Sequence, residues 1–195
     1  MKFVLPALAA AVLTTVAIPA QAATFFATTL SGANETVPNA STATGVGNLT
    51  LSGDQNSISL FLGWTGLNGG PATGAHIHCC ALPGANGPVA IDFGPPAATT
   101  GSLTRTYDLT LLSTYAGGFL SANGGTAVSA RTAFLAGLTS GRTYFNVHNA
   151  QFPGGEIRGQ LAVAIPEAAT WGMMIVGFGV VGSTMRLRRR TAALA

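Results

Sequence analysis

The chain has three histidines, and two of them stand together as His76-Ile77-His78. In an extended strand successive side chains alternate between faces, so His76 and His78 share one face and Ile77 takes the other. Imidazoles at i and i+2 can converge on one ion. His148, in a separate apolar run, would complete a three-histidine set of the catalytic-zinc or copper type. The alternative is structural: three imidazoles hydrogen-bonded to backbone and loops.

Cys79 and Cys80, the only cysteines, follow this motif directly. In an oxidising compartment two cysteines normally pair. Neighbouring Cα atoms across a trans peptide are ~3.8 Å apart, below the ~4.4–6.8 Å usual for a bridge, so a vicinal ring is tight. Three arrangements are open: that ring as a loop lock, links between chains, or thiolates joining His76 and His78 around a metal. The loop lock is the expected one.

The remaining ionisable residues give weaker signals. Glu156 and Arg158 flank Ile157 on one strand face, where pairing with the strand of Asn146 and His148 is expected rather than acid–base chemistry. Asp54, Asp92 and Asp108 sit beside turn residues and suit local hydrogen bonding. The chain has no Gly-x-Ser-x-Gly, phosphate loop, dinucleotide fingerprint or paired catalytic carboxylates. No catalytic or cofactor-binding residue is therefore assigned.

The elements that must position these groups are β-rich. Residues 24–30, 47–51, 57–64 and 143–148 are short runs of Thr, Leu, Phe, Ile and Val, with alternation in Leu49/Leu51 and Ile58/Leu60/Leu62. Turn strings such as Ser52-Gly53-Asp54, Asn68-Gly69-Gly70 and Pro153-Gly154-Gly155 separate them. Residues 127–138 are alanine-rich and predict one short helix that packs Phe134 and Leu138 on the sheet. Residues 83–100 read as a loop. The pattern predicts an all-β antiparallel sandwich or barrel over residues 23–163.

Charge divides the chain differently. Charged residues make up 8% of the whole, about a third of the ~25% that is typical. The net charge of +3 comes from the ends, because Lys2, Arg186, Arg188, Arg189 and Arg190 all lie outside residues 23–163. Within that span Arg105, Arg131, Arg142 and Arg158 stand against Glu35, Asp54, Asp92, Asp108 and Glu156, a net of −1. A body without a basic face has no footprint for a phosphate backbone, so nucleic acid is excluded as a partner.

Both ends read as addresses. Residues 1–22 form a signal peptide: Lys2, an apolar run, then Ala20-Gln21-Ala22 as a cleavage site. At the other end, residues 164–170 read as a linker and sorting motif, 171–187 as a transmembrane anchor and 188–195 as a basic cytoplasmic tail. The uncharged stretch 171–185 spans only about 22 Å as a helix against a ~30 Å hydrocarbon core, but Trp171 and the four arginines suit the two interfaces. This places the body on the periplasmic side of the inner membrane.

Two family resemblances sharpen the picture. Residues 165–190, with Pro166-Glu167, an apolar helix containing Trp171, then Arg186, Arg188, Arg189 and Arg190, resemble the PEP-CTERM sorting signal of exopolysaccharide-producing Gram-negative bacteria. Ala168 replaces that signal's second proline. The resemblance implies recognition by an exosortase and release towards the cell surface. Ser31-Gly32-Ala33-Asn34-Glu35, Gly74-Ala75-His76-Ile77-His78 and the string from Pro153-Gly154-Gly155-Glu156 to Leu161 resemble the CHRD domain, found in chordin and in many secreted microbial proteins. It implies an Ig-like β fold without established catalysis. Cys79-Cys80 stand where many members have Gly-Pro, so the loop after His78 is expected to differ. The His-x-His is similar to that of copper-zinc superoxide dismutases, but three histidines are too few for a bimetallic site.

The resulting expectation is an exported, non-enzymatic binding or structural module of the cell envelope or exopolysaccharide matrix. Its expected partners are the sorting machinery, exopolysaccharide or other surface proteins. The alternative is a copper- or zinc-binding or redox protein using His76, His78 and His148.

Overall fold

The computed structural model describes residues 21–164 and 168–192. Nine strands form a single antiparallel sheet. They are β1 (Thr24–Ser31), β2 (Thr44–Leu51), β3 (Ser57–Thr65), β4 (Ala72–Cys79), β5 (Val89–Asp92), β6 (Gly101–Asp108), β7 (Thr143–Asn149), β8 (Ile157–Gln160) and β9 (Ala162–Val163). Their spatial order is β5-β4-β7-β8-β1-β2-β3-β6, with β9 also paired to β1.

The expected all-β antiparallel fold is present, but as one continuous sheet that curls into a half-barrel and not as two stacked sheets. Its continuity comes from β8, which pairs with β7 along Tyr144↔Gln160 to Val147↔Ile157 and touches β1 at Ser31↔Arg158. The curl brings the two halves of the concave face together. Phe145 of β7 packs over Gly47 of β2 so closely that a Cβ there would lie 2.5 Å from its ring, and a Cβ on Gly45 would be 3.2 Å from Ile157. Two glycines in β2 therefore make room for the opposite half. Phe26, Leu49, Ile58 and Leu62 meet Ile77, Phe145, Val147 and Ile157 there, all fully buried. Each such side chain contributes roughly 1.5–3 kcal/mol.

Two helices close the concave side. The helix expected over 127–138 is α2 (Ala127–Thr139), following α1 (Gly117–Ala122). Thr126 caps α2, its hydroxyl accepting from the Ser129 N–H, and Phe134 and Leu138 are buried as the spacing requires. The short helix α1 brings in Phe119 and carries no helix signal in the sequence, since two glycines open it. Residues 83–100 are largely loop but contain β5, four residues too short to announce a strand.

The C-terminal helix α3 spans Ala168–Ala192. Among the described residues no helix is long and apolar enough to cross a membrane. Gly172, Gly177, Gly179 and Gly182 dilute its apolar stretch, and Arg186 closes it. The leader, over residues 1–20, and the motif residues Pro166 and Glu167 lie outside the described residues, as do the side chains of Trp171, Arg188, Arg189 and Arg190.

Candidate metal centre

The convex face of β4 and β7 holds all three histidines. Ile77 turns into the core, while His76 and His78 point outward, as the alternation requires. In the antiparallel register His78 lies opposite Tyr144, His76 opposite Asn146 and Gly74 opposite His148. Ring centroids are 4.9 Å apart for His76 and His148, 5.6 Å for His76 and His78, and 5.9 Å for His78 and His148. One ligand atom from each ring lies within 4.8 Å of the others.

The hydrogen bonds fix which nitrogen is which. His78 Nδ1 is 2.9 Å from the Gly87 carbonyl oxygen and His148 Nδ1 is 3.0 Å from that of Pro153. A carbonyl only accepts, so both Nδ1 atoms carry the proton and both Nε2 atoms are lone pairs. His76 is turned around: its Nε2 faces Asp92 Oδ1 at 3.3 Å, which leaves Nδ1 as the lone pair. His76 Nδ1, His78 Nε2 and His148 Nε2 are all buried and without a hydrogen-bond partner. An orphaned buried polar atom costs about 1–3 kcal/mol, so three at one place ask for a ligand.

Electrostatics keeps the rings in the ligand form. Burial pushes His78 down to about 4, helped by repulsion from His76 and His148 and opposed by the Gly87 hydrogen bond. Burial, then the neighbouring His76, pushes His148 down to about 4. Burial also lowers His76, against the raising effect of Asp92. Near neutral pH all three are uncharged imidazoles, the form that binds a metal. A tetrahedral zinc with ~2.0–2.1 Å bonds would need its nitrogens ~3.3 Å apart, and His76, His78 and His148 are the residues that would hold it.

Several supporting residues gave no sequence signal of this role. Asp92 has the turn hydrogen bond expected of it, from the Gly94 N–H at 2.8 Å, yet also reaches His76. Gly74 is needed because the His76 ring folds back over it, 3.0 Å from where a Cβ would sit. Tyr144 stacks flat on His78, centroids 4.8 Å apart and planes 1° from parallel, and its hydroxyl accepts from the Gly87 N–H at 3.1 Å. The Arg158 guanidinium lies 4.2 Å over the other side of Tyr144. Arg158 pairs with buried Glu35 at 3.1 Å and donates to Thr36, Ala85 and Asn86. Asn146 donates to Glu35 at 3.0 Å. Desolvation raises the Glu35 carboxyl despite the Arg158 charge.

The other candidates separate from this cluster. Arg158 does face Asn146 across the register, but Glu156 is not its ion-pair partner. The fully buried Glu156 accepts from Ser41, the Asn68 N–H and Asn149, tying loops together. Asp54 and Asp108 accept from Ser52 and Thr110 in their own turns. Cys79 and Cys80 form the vicinal disulfide, across a cis peptide bond. Their sulfurs sit against Gly137 of α2, on the concave side, so the arrangement with thiolates beside the histidines does not occur.

The profile of the CHRD domain matches residues 26–161, a span that holds every strand of the cluster. The chain belongs to the CHRD-domain family, which points to an extracellular binding domain at most. No curated protein and no solved structure matches it.

Proposed function

We propose that this protein is an exported binding module that holds one copper or zinc ion between His76, His78 and His148. One observation carries the reading: three buried nitrogens without a hydrogen-bond partner belong to three rings whose ligand atoms lie within 4.8 Å of one another, with His78 and His148 held by carbonyls and His76 facing Asp92. Imidazole donors suit zinc and copper and not the oxygen-seeking calcium or magnesium. Asp92 behind His76, and the carbonyls behind His78 and His148, are the outer partners that metal-binding histidines use for orientation. Elemental analysis of the full chain after loading and desalting is the test. One copper or zinc per chain, lost in His76→Ala, is expected; a metal-free wild-type chain contradicts the reading.

Delivery belongs to the two ends. The leader 1–22 exports the chain, and the tail, through Pro166, Glu167, Trp171 and the arginines from Arg186 to Arg190, hands it to exosortase-type machinery for the envelope or matrix. The order of parts in the tail supports this. Removing residues 166–195 is expected to send folded protein into the medium. A truncated chain still held in the membrane fraction argues against the tail's role.

A further inference from the structure

The disulfide lies on the opposite face of the sheet from the histidines, yet the backbone joins them. Cys79 follows His78 directly, and its N–H donates to the Pro88 carbonyl at 3.1 Å. Gly87, the residue before, packs against the Cys79 carbonyl so closely that a Cβ on it would lie 2.9 Å from that carbon and oxygen. This same Gly87 accepts the proton of His78 Nδ1 and donates to Tyr144, which stacks on His78. The position of Gly87 therefore sets the orientation of one ligand, and the end of β4 sets the position of Gly87.

The bridge holds the end of β4. Both sulfurs are seated where a Cβ on Gly137 would overlap them, and Cys80 Sγ lies 3.4 Å from the Ala133 carbonyl oxygen. Bonded sulfurs sit inside the sum of their van der Waals radii, whereas two thiols do not. Cys79 is fully buried, so opening the bridge needs room that α2 does not leave. The strand end, with Gly87 against it, must shift.

We infer that the Cys79–Cys80 disulfide is a redox latch on the metal pocket, closed in the oxidised chain and opened by a dithiol. This rests on the metal reading above. The step is thiol–disulfide exchange: the S–S bond of the protein breaks, the dithiol closes to its own disulfide, and its two protons and two electrons end on Cys79 and Cys80. Oxidation after export then couples metal capture to arrival outside the cytoplasm.

The test compares zinc affinity in the full chain with the bridge intact and in Cys79→Ala/Cys80→Ala, by competition with a chromogenic chelator. Loss of an outer partner of a ligating histidine typically costs 10–100-fold in affinity. The double variant is expected to bind zinc at least about tenfold more weakly, with an altered cobalt(II) d–d spectrum and an unchanged far-ultraviolet circular dichroism spectrum. Equal affinity and equal cobalt spectra overturn the latch while leaving the metal site standing. If the oxidised chain binds no zinc, the metal reading itself falls and the latch with it. Should the double variant not fold, zinc release from the wild-type chain during titration with a water-soluble phosphine decides. The phosphine reduces the bridge and takes up the oxygen of one water. Release as the bridge opens supports the latch, and zinc retained on a fully reduced, folded chain overturns it.

Discussion

One row of residues crosses the convex face of the sheet from β5 to β3, and its two ends live in different environments. In register it runs Asp92, His76, Asn146, Arg158, Ser31, Thr44, Thr65. From His76 to Arg158 it lies under loops: Thr36, Ala85 and Asn86 reach Arg158, Gly87 and Pro153 hold the neighbouring imidazoles, and Gly155 rests on Asn146. From Thr44 to Thr65 it faces solvent, like Val46 and Ser59 beside it. The open half can leave every hydroxyl to water. The covered half must satisfy its polar atoms internally, and it does so where Arg158 pairs with Glu35 but not at the three ring nitrogens or at Asn146 Oδ1. What marks the histidines as a site is that their ligand atoms also converge within 4.8 Å of one another.

The comparison is tested most severely by removing one residue from each half. Arg158→Ala leaves Glu35 buried without its cation and is expected to cost about 3–5 kcal/mol in urea unfolding. Thr44→Ala, in the same row on the open side, is expected to stay within about 0.5 kcal/mol. Equal costs would remove the distinction between the halves.

Acid comes next. His78 and His148 have folded values near 4 against an ordinary 6.5, so between those limits the unfolded chain binds protons that the folded chain does not. Stability of the metal-free protein is then complete above about pH 6.5 and falls as pH drops towards 4, by roughly 3 kcal/mol for each histidine. Thermal melts across this window check it, and His78→Gln/His148→Gln should flatten the profile.

Zinc itself follows. At a hundred times its dissociation constant, a ligand specific for the native state stabilises by about 2.7 kcal/mol. Wild-type protein is expected to show this as a rise in melting temperature, with none in His148→Ala. The smallest effect is steric. Gly74→Ala pushes on the His76 ring and is expected to weaken zinc about tenfold, a change of about 1.4 kcal/mol, while Gly66→Ala, beyond the open half, leaves affinity unchanged.

Much of this was legible in local pattern. Period-two alternation put Ile77 inward and His76 and His78 outward, and alanine-rich spacing marked α2 nearly to the residue. What escaped was non-local. Nothing near Ile157 says that its strand will bridge β7 and β1, and that bridging makes one curled sheet in place of a sandwich. Asp92 reads as a turn residue because its turn bond is real; its second contact depends on β5 landing beside β4. Gly74 reads as any strand glycine until the His76 ring is seen lying on it.

The central claim is about three lone pairs, and long-range proton–nitrogen NMR of the imidazoles reads them directly. At neutral pH the account predicts Nδ1–H tautomers for His78 and His148 and an Nε2–H tautomer for His76, with the bare nitrogen of each ring shifting on one equivalent of zinc. Charged rings, reversed tautomers, or nitrogen shifts that ignore zinc would contradict it.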